Sequence, residues 1–187
     1  MCGMFFTFDK DNIPLLSDYN SRRGGVNHSL LEIDIDKIAY VGHFQAPTSV
    51  VSRVHPNKLN STMLWHNGIL KDNAIKELQS KFNLHNEQWD TALLHEAILK
   101  NEEIGDIDGS FAVFLFKDNN FYFTRNALAP LYINSEKCII TSAKIKELNV
   151  DEIIKDGIWY IVKNSKIEPI SNDFFKNFKT KNNPYNF

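Results

Sequence analysis

Met1-Cys2-Gly3-Met4-Phe5-Phe6 opens the chain and puts a cysteine directly after the initiator methionine, at the start of a short apolar run. Enzymes that trim methionine before small residues would leave Cys2 as the N-terminal residue. Its α-amino group, with an ordinary pKa of about 7.7–8.0, would then be able to take the proton of the thiol, whose ordinary pKa is about 8.5. One residue would thus supply the nucleophile and the general base, as in enzymes with an N-terminal threonine. The alternative is a buried structural cysteine at the end of a strand.

The bulk composition indicates a globular protein of one domain, with or without a small appendage. The chain has 187 residues, of which 43% are hydrophobic and 14 are phenylalanine, enough to bury a sizeable core. The net charge is -2 and the lysines are spread along the chain, so we expect no nucleic-acid partner. There is no secretory signal and no apolar run of membrane-spanning length, so we expect no membrane partner and a cytoplasmic location.

Cysteine and histidine usage argues against several kinds of site. Two cysteines do not make a disulfide framework, and Cys138 lies in an apolar run where a buried thiol is expected. The histidines show no paired ligand spacing, and the only double glycine, Gly24-Gly25, lacks the setting of a phosphate-binding loop. We therefore predict no metal site and no cofactor.

The apolar periodicity predicts a strand-rich chain with two central helices. Residues 4–8 are predicted to form a strand, and residues 30–35 and 38–43 form a hairpin around a two-residue connection. One helix is predicted after Asp72 and another after Asp90, where Asp90 or Thr91 would cap the first turn. This order predicts an α+β fold with sheets covered by helices.

Several short motifs occur along the chain in one order and resemble a known family. In sequence they are Met1-Cys2-Gly3, Gly42-His43, Asn67-Gly68, Asp90-Thr91, Asp108-Gly109-Ser110-Phe111-Ala112, Pro130-Leu131-Tyr132 and Ser142-Ala143-Lys144-Ile145-Lys146. Together they resemble the glutaminase domain of the class II glutamine amidotransferases, and most of all that of asparagine synthetase. The resemblance covers roughly residues 1–160 and implies the four-layer αββα sandwich of the N-terminal nucleophile (Ntn) hydrolases. We assign residues 1–170 to this domain and residues 171–187 to a polar C-terminal tail.

The resemblance implies that Cys2 attacks the side-chain carboxamide of L-glutamine, releases ammonia and leaves a γ-glutamyl thioester that water hydrolyses. Asn67, through its side-chain amide, and Gly68, through its backbone N–H, would stabilise the tetrahedral oxyanion. An Asn-Gly pair is also typical of a hairpin or strand-to-helix turn with positive φ. Asp90 would hold the substrate α-ammonium, or else serve only as a helix cap. For His43, a structural hydrogen bond is the expected role.

One departure from the family pattern concerns the substrate carboxylate. Gln45 occupies the position where relatives usually have an arginine that grips the α-carboxylate of glutamine, and glutamine has no charged fork to offer. Arg53 is a candidate substitute from the same loop, with hydroxyl contacts from Thr48 and its neighbour Ser49. Arg22 or Arg23, followed by Gly24, resembles the Arg-Gly turn near the nucleophile of relatives, but it equally fits a solvated loop.

The resemblance also implies a partner, because glutaminase domains of this family are normally fused to a domain that consumes the ammonia. We expect a stand-alone domain that passes ammonia to an acceptor on a separate synthetase or transferase protein. Two alternatives remain open: an N-terminal-cysteine amidohydrolase that acts on another amide, motivated by Gln45, and a catalytically idle binding or scaffold protein with the same fold. The sequence indicates no oligomeric state.

Overall fold

The computed structural model describes residues 2–46, 53–170, 175, 178 and 179. Its elements in chain order are β1 (Gly3–Thr7), α1 (Ile13–Ser21), β2 (Asn27–Asp34), β3 (Ile38–Gln45), β4 (Asn57–Leu59), β5 (Thr62–Leu70), α2 (Asp72–Phe82), α3 (Asp90–Leu99), β6 (Gly109–Lys117), β7 (Asn120–Arg125), β8 (Tyr132–Asn134), β9 (Ile139–Thr141), β10 (Glu152–Ile153), β11 (Tyr160–Lys163) and β12 (Lys166–Pro169). Short 3-10 turns cover Lys10–Asn12, Ile104–Asp106 and Lys146–Leu148.

The strands form two antiparallel sheets. In the first sheet the order is β10-β8-β9-β1-β3-β2, so β1 lies in its interior, between β9 and β3. In the second sheet the order is β12-β11-β7-β6-β5-β4. The register of β1 with β3 pairs Gly3 with Phe44, which brings the residue before β1, Cys2, to the end of β3 at Gln45.

Alternation along β1 divides the core between two layers. Met4 and Phe6 point into a cluster shared with Trp65 and Phe114 of the second sheet, so this cluster fills the space between the sheets. Phe5 points the other way, into a smaller cluster with residues of α1 and β9. Every strand position from Gly3 to Thr7 is buried, which fits a strand covered on both faces.

Helices cover the outer face of each sheet. Leu16 of α1 packs behind the first sheet, whereas Leu78 of α2 and Leu93 and Leu94 of α3 pack behind β5 and β6 of the second sheet. The layers are therefore helix, sheet, sheet, helix. The predicted α+β fold and its αββα layering are confirmed.

The amino-acid sequence explains where α2 begins and ends. Asp72 stands in its first turn, where a carboxylate interacts favourably with the helix dipole. Ala74 and Leu78 give the helix its buried stripe. Asn83 ends it in the left-handed conformation, with φ of 57°.

The predicted hairpin of residues 30–43 is confirmed as β2 and β3, but the alternative interpretation of Asn67-Gly68 as a turn and the predicted cap of the second helix were wrong. Asn67-Gly68 is not a turn, because both residues lie inside β5 and pair with Ala112 and Phe111 of β6. Neither Asp90 nor Thr91 is the N-cap of α3, since Trp89 holds that position with no side-chain cap hydrogen bond.

Other elements were not predicted from the sequence. The helix α1 carries a proline in its first turn, a position that proline tolerates well. The short strand β4 was not predicted either.

Two aromatic residues from the predicted C-terminal tail are buried. The ring of Phe175 stacks on that of Trp159 with centroids 4.4 Å apart, and the backbone N–H of Phe178 donates to the carbonyl of Gly157 at 3.0 Å. The domain boundary at residue 170 stays a prediction. Across the described part of the chain, no helix is both long and apolar enough to cross a membrane.

Candidate active site

Cys2 lies directly before β1 and is almost completely buried, with 4% of its surface exposed. Its Sγ accepts a hydrogen bond from the backbone N–H of Ala46 at 3.4 Å. Burial raises the pKa of the Cys2 thiol. The hydrogen bond from Ala46, the charge of the chain's N-terminus and the charge of Arg23 oppose this shift, whereas the charge of Asp90 raises the pKa further. The thiol is therefore neutral at pH 7, and it needs a base in order to act as a nucleophile.

The loop after α1 holds Cys2 against the end of β3. The Nε of Arg23 donates to the carbonyl oxygen of Cys2 at 3.2 Å. Gly24 lies so close to β3 that a Cβ atom there would come within 2.5 Å of the backbone nitrogen of Ala46. The backbone N–H of Val26 then donates to the carbonyl of Gln45 at 3.1 Å. The nucleophile candidate is thus fixed by backbone contacts on two sides.

Asn67 lies in β5 with its carboxamide fully buried and unpaired. Neither its Nδ2 nor its Oδ1 has a hydrogen-bond partner among the described residues. A buried amide without partners is costly, so such a group is usually kept for a ligand. Gly68, the next residue, lies where the backbone of β6 approaches β5 very closely. A Cβ atom at this position would collide with the carbonyl oxygen of Ser110.

Asp90 begins α3, and its carboxylate is mostly buried, with 14% of the side chain exposed. Its Oδ2 accepts from the backbone N–H of Leu70 at 3.2 Å, and its Oδ1 accepts from that of Thr91 at 2.7 Å. These bonds orient the carboxylate at the end of β5, three residues beyond Asn67. Because its charge acts on the Cys2 thiol, the carboxylate lies within electrostatic range of the sulfur.

Buried histidines join the two sheets beside these residues. The Nε2 of His43 lies 3.0 Å from the carbonyl oxygen of His66, to which it donates, and its ring stacks on that of His55 with centroids 3.8 Å apart. The hydroxyl of Thr91 bridges His55 Nε2 at 3.1 Å and His66 Nδ1 at 3.3 Å. Burial lowers the pKa of His43 to about 4, so it stays neutral at pH 7. His43 therefore makes the structural hydrogen bond expected of it, and this bond joins β3, next to the start of β1, to β5.

The residues expected around the substrate carboxylate lie in different settings. Gln45 is buried at the end of β3, and its Oε1 has no partner within the described ranges. Arg53 is half exposed, forms an ion pair with Glu87 at 2.9 Å and lies over the ring of Trp89. Thr48 and its neighbour Ser49 lie outside the described residues.

Comparison with known proteins identifies the fold of the chain. No family model matches the chain, and no curated protein matches it. Among solved structures, glutamine phosphoribosylpyrophosphate (PRPP) amidotransferase from B. subtilis matches 91% of the chain with a TM-score of 0.70 and 12% identity. The structure described as the allosteric regulatory enzyme of purine biosynthesis matches 94% with a TM-score of 0.70 and 15% identity. The fold is that of a class II glutamine amidotransferase domain.

The present chain spans about half the length of these two solved amidotransferase-fold proteins, covering 49% and 50% of them. A third structure, a glutamine aminotransferase class-II domain protein from Silicibacter pomeroyi, matches 93% of the chain at 11% identity with a TM-score of only 0.46. At these identities the two higher-scoring matches show a shared fold only. The chemistry of this chain has to be inferred from the residues of its own site.

The roles predicted for Cys2, Asn67 and Asp90 stay predictions, and two other features of this region were not predicted. Cys2 and Asp90 come from separate motifs and interact electrostatically, and Asp90 bonds to Leu70 at the end of β5, the strand that carries Asn67. The bridging role of Thr91 and the burial of Arg23 were missed. An isolated sequence gave no signal for either, since both depend on contacts with residues more than twenty positions away.

Proposed function

We propose that the chain hydrolyses the side-chain amide of L-glutamine to glutamate and ammonia, with Cys2 as the N-terminal nucleophile once Met1 is removed. The observation that carries this proposal is the pairing of a buried Cys2 at the start of β1 with a buried, unpaired Asn67 carboxamide in an amidotransferase fold. A buried thiol with a raised pKa needs a base, and the α-amino group of the same residue is the nearest one that processing would supply.

The reaction proceeds through a thioester. The α-amino group takes the thiol proton as Sγ bonds to the carboxamide carbon, and the carbonyl oxygen becomes an oxyanion. Asn67 Nδ2 and the Gly68 backbone N–H donate to that oxyanion. The protonated amine then gives its proton to the nitrogen that leaves as ammonia. Water, deprotonated by the same amine, releases glutamate and restores the thiol.

The substrate is oriented by charge. Asp90 is a mostly buried carboxylate within electrostatic range of Cys2, and it binds the α-ammonium group by charge-assisted hydrogen bonds. Gln45 contributes a neutral, buried amide at the end of β3, and Thr48 is a further candidate for a substrate contact, whereas Arg53 is already ion-paired with Glu87.

The released ammonia is passed to an acceptor on a separate synthetase or transferase protein. Support for an acceptor comes from the fold shared with the solved PRPP amidotransferase, since an amidotransferase moves amide nitrogen to an acceptor. Both cysteines are free thiols, which fits the expected cytoplasmic location.

A direct test is the release of glutamate and ammonia from L-glutamine by the purified protein. Cys2→Ala should remove the activity entirely, whereas Cys138→Ala should leave it intact, because Cys138 is buried in the apolar cluster between the two sheets. Activity that survives Cys2→Ala would refute the proposal.

A second candidate is hydrolysis of a different amide by the same nucleophile. Gln45 favours it, because a neutral side chain stands where the resemblance implies an arginine for the glutamine carboxylate. L-asparagine and short acyl-amides, assayed beside L-glutamine, decide between the two, since the second candidate predicts a faster rate with an amide other than glutamine.

A further inference from the structure

Arg23 is a partly buried cation with a donor that no described group uses. Its Nε donates to the Cys2 carbonyl at 3.2 Å, but its Nη2 is fully buried and has no hydrogen-bond partner among the described residues. Withdrawing part of a guanidinium from water is costly unless an acceptor replaces the water. The position of this free donor, at the residue that carries the nucleophile, points to an anionic ligand rather than to a structural ion pair.

The surroundings of Arg23 support that reading. The charged or titratable groups that act on its pKa are Tyr132 and Cys2, and no aspartate or glutamate is among them in the described part of the chain. Its side chain also influences the Cys2 thiol, as Asp90 does with the opposite sign. The thiol therefore has a cation and an anion within electrostatic range, which matches the charges of an α-amino acid.

The other arginines near the site are already paired. Arg22 is exposed and forms an ion pair with Asp18 within α1. Arg53 is bound to Glu87 and lies over Trp89. Gln45, which occupies the family's arginine position, is neutral, with its Oε1 buried and unpaired in the described ranges.

We propose that Arg23 binds the α-carboxylate of the amino-acid amide substrate, taking the role that the resemblance assigns to the position of Gln45. This inference rests on the proposed function, because it names the substrate group that the same site recognises. Arg23 comes from the loop after α1 and Asp90 from the start of α3, so the zwitterion would lie between them with its side-chain amide at Cys2. The substrate class is then a free α-amino acid amide, and an amide without an α-carboxylate would bind weakly.

The test measures binding without turnover, by calorimetry on the full chain carrying Cys2→Ala. The ligands are L-glutamine and L-glutamine α-amide, which lacks the carboxylate. Adding Arg23→Gln should weaken L-glutamine binding about 10- to 100-fold, as expected for the loss of hydrogen bonds between charged groups, and should leave the α-amide almost unaffected. Arg22→Gln is the matched control and should change neither affinity. Arg23→Lys, which keeps the charge, should retain part of the preference for glutamine and serves if Arg23→Gln does not fold.

Equal affinity of the Arg23→Gln and Arg22→Gln proteins for glutamine would overturn the inference. An equal loss of affinity for glutamine and for its α-amide in the Arg23→Gln protein would also overturn it, and so would a Cys2→Ala protein that binds no glutamine. Failure of the proposed function looks different. Glutamine that binds in an Arg23-dependent way but is not hydrolysed by the protein with Cys2 leaves this inference standing and removes the glutaminase activity. Hydrolysis that does not depend on Arg23 removes this inference alone.

Discussion

Replacing Asn67 by leucine should raise stability while removing activity. Leucine has nearly the shape of asparagine, so the change exchanges two buried polar atoms for two methyl groups in β5. Both polar atoms of Asn67 are unpaired among the described residues, and the side chain has no exposed surface. The substitution therefore breaks no described hydrogen bond, and it removes the free-energy cost of burying an amide that has no hydrogen-bond partner.

The magnitude follows from that cost. A buried amide without partners destabilises a protein by about 1–3 kcal/mol, so the free energy of unfolding of Asn67→Leu should rise by about this amount. In a chain of this size each kcal/mol shifts Tm by about 2–4 °C. The rate of glutamine hydrolysis should fall about 10²- to 10³-fold, because one oxyanion donor is lost.

Asn126→Leu is the matched control, because this asparagine is also buried but is fully paired. Its Oδ1 accepts from the backbone N–H groups of Phe111 at 3.1 Å and Leu128 at 3.2 Å, and its Nδ2 donates to the carbonyl of Gly109 at 2.9 Å. Asn126→Leu removes these hydrogen bonds and should lower the free energy of unfolding by about 2 kcal/mol or more. Urea unfolding of both variants and of the unaltered protein measures the difference. A destabilised Asn67→Leu protein would refute the reasoning, since it would show that Asn67 is a structural residue.

Three further predictions concern pH, backbone packing and substrate charge. Burial lowers the pKa of His43 and of His95 to about 4, and that of His55 falls well below its usual range. The unfolded chain therefore binds more protons than the folded chain below pH 6.5. Urea unfolding should show that His43 and His95 each lower the free energy of unfolding by about 2 kcal/mol at pH 5 relative to pH 7. A free energy of unfolding that does not change with pH would contradict this. Gly68→Ala should lower Tm by several degrees, because a Cβ atom collides with the neighbouring strand's backbone; an unchanged melting curve would contradict the close approach. Asp90→Asn should raise KM for glutamine about 10-fold or more with a smaller change in kcat, and an unchanged KM would remove Asp90 from the binding of the ammonium group.

Much of the fold could be predicted because local patterns and tertiary structure agree. The alternation in residues 30–35, followed by an apolar run in residues 38–43, predicted a hairpin, and the observed register of β2 with β3 is continuous from Asn27 to Asp34, with three residues connecting the strands. The alternative interpretation of Asn67-Gly68 as a turn, which local preference favours, was wrong, because both residues lie inside β5. Close packing of β6 against Gly68 explains the glycine instead, and that contact joins residues more than forty positions apart.

The candidate site was predictable to the extent that its residues come from recognisable motifs. Arg22 and Arg23 are identical in type and adjacent in sequence, yet one is exposed and the other is partly buried beside Cys2. Nearby, the buried carboxamide of Asn20 bonds to Leu16 and Thr141 and holds the end of α1 against β9, and the Nε of Arg23 bonds to the carbonyl oxygen of Cys2. Contacts between residues so far apart in sequence cannot be predicted from a local pattern. The sequence alone therefore could not show which of the two arginines is buried.

The most direct test of the central claim is intact-mass analysis of the purified protein before and after treatment with a diazoketone analogue of glutamine. We predict loss of Met1 and one adduct, which Cys2→Ala abolishes and Cys138→Ala does not. Burial raises the pKa of Cys138 to about 12, so its thiol should not react. A protein that keeps Met1 and gains no adduct, or an adduct that persists in Cys2→Ala, would contradict an N-terminal cysteine nucleophile.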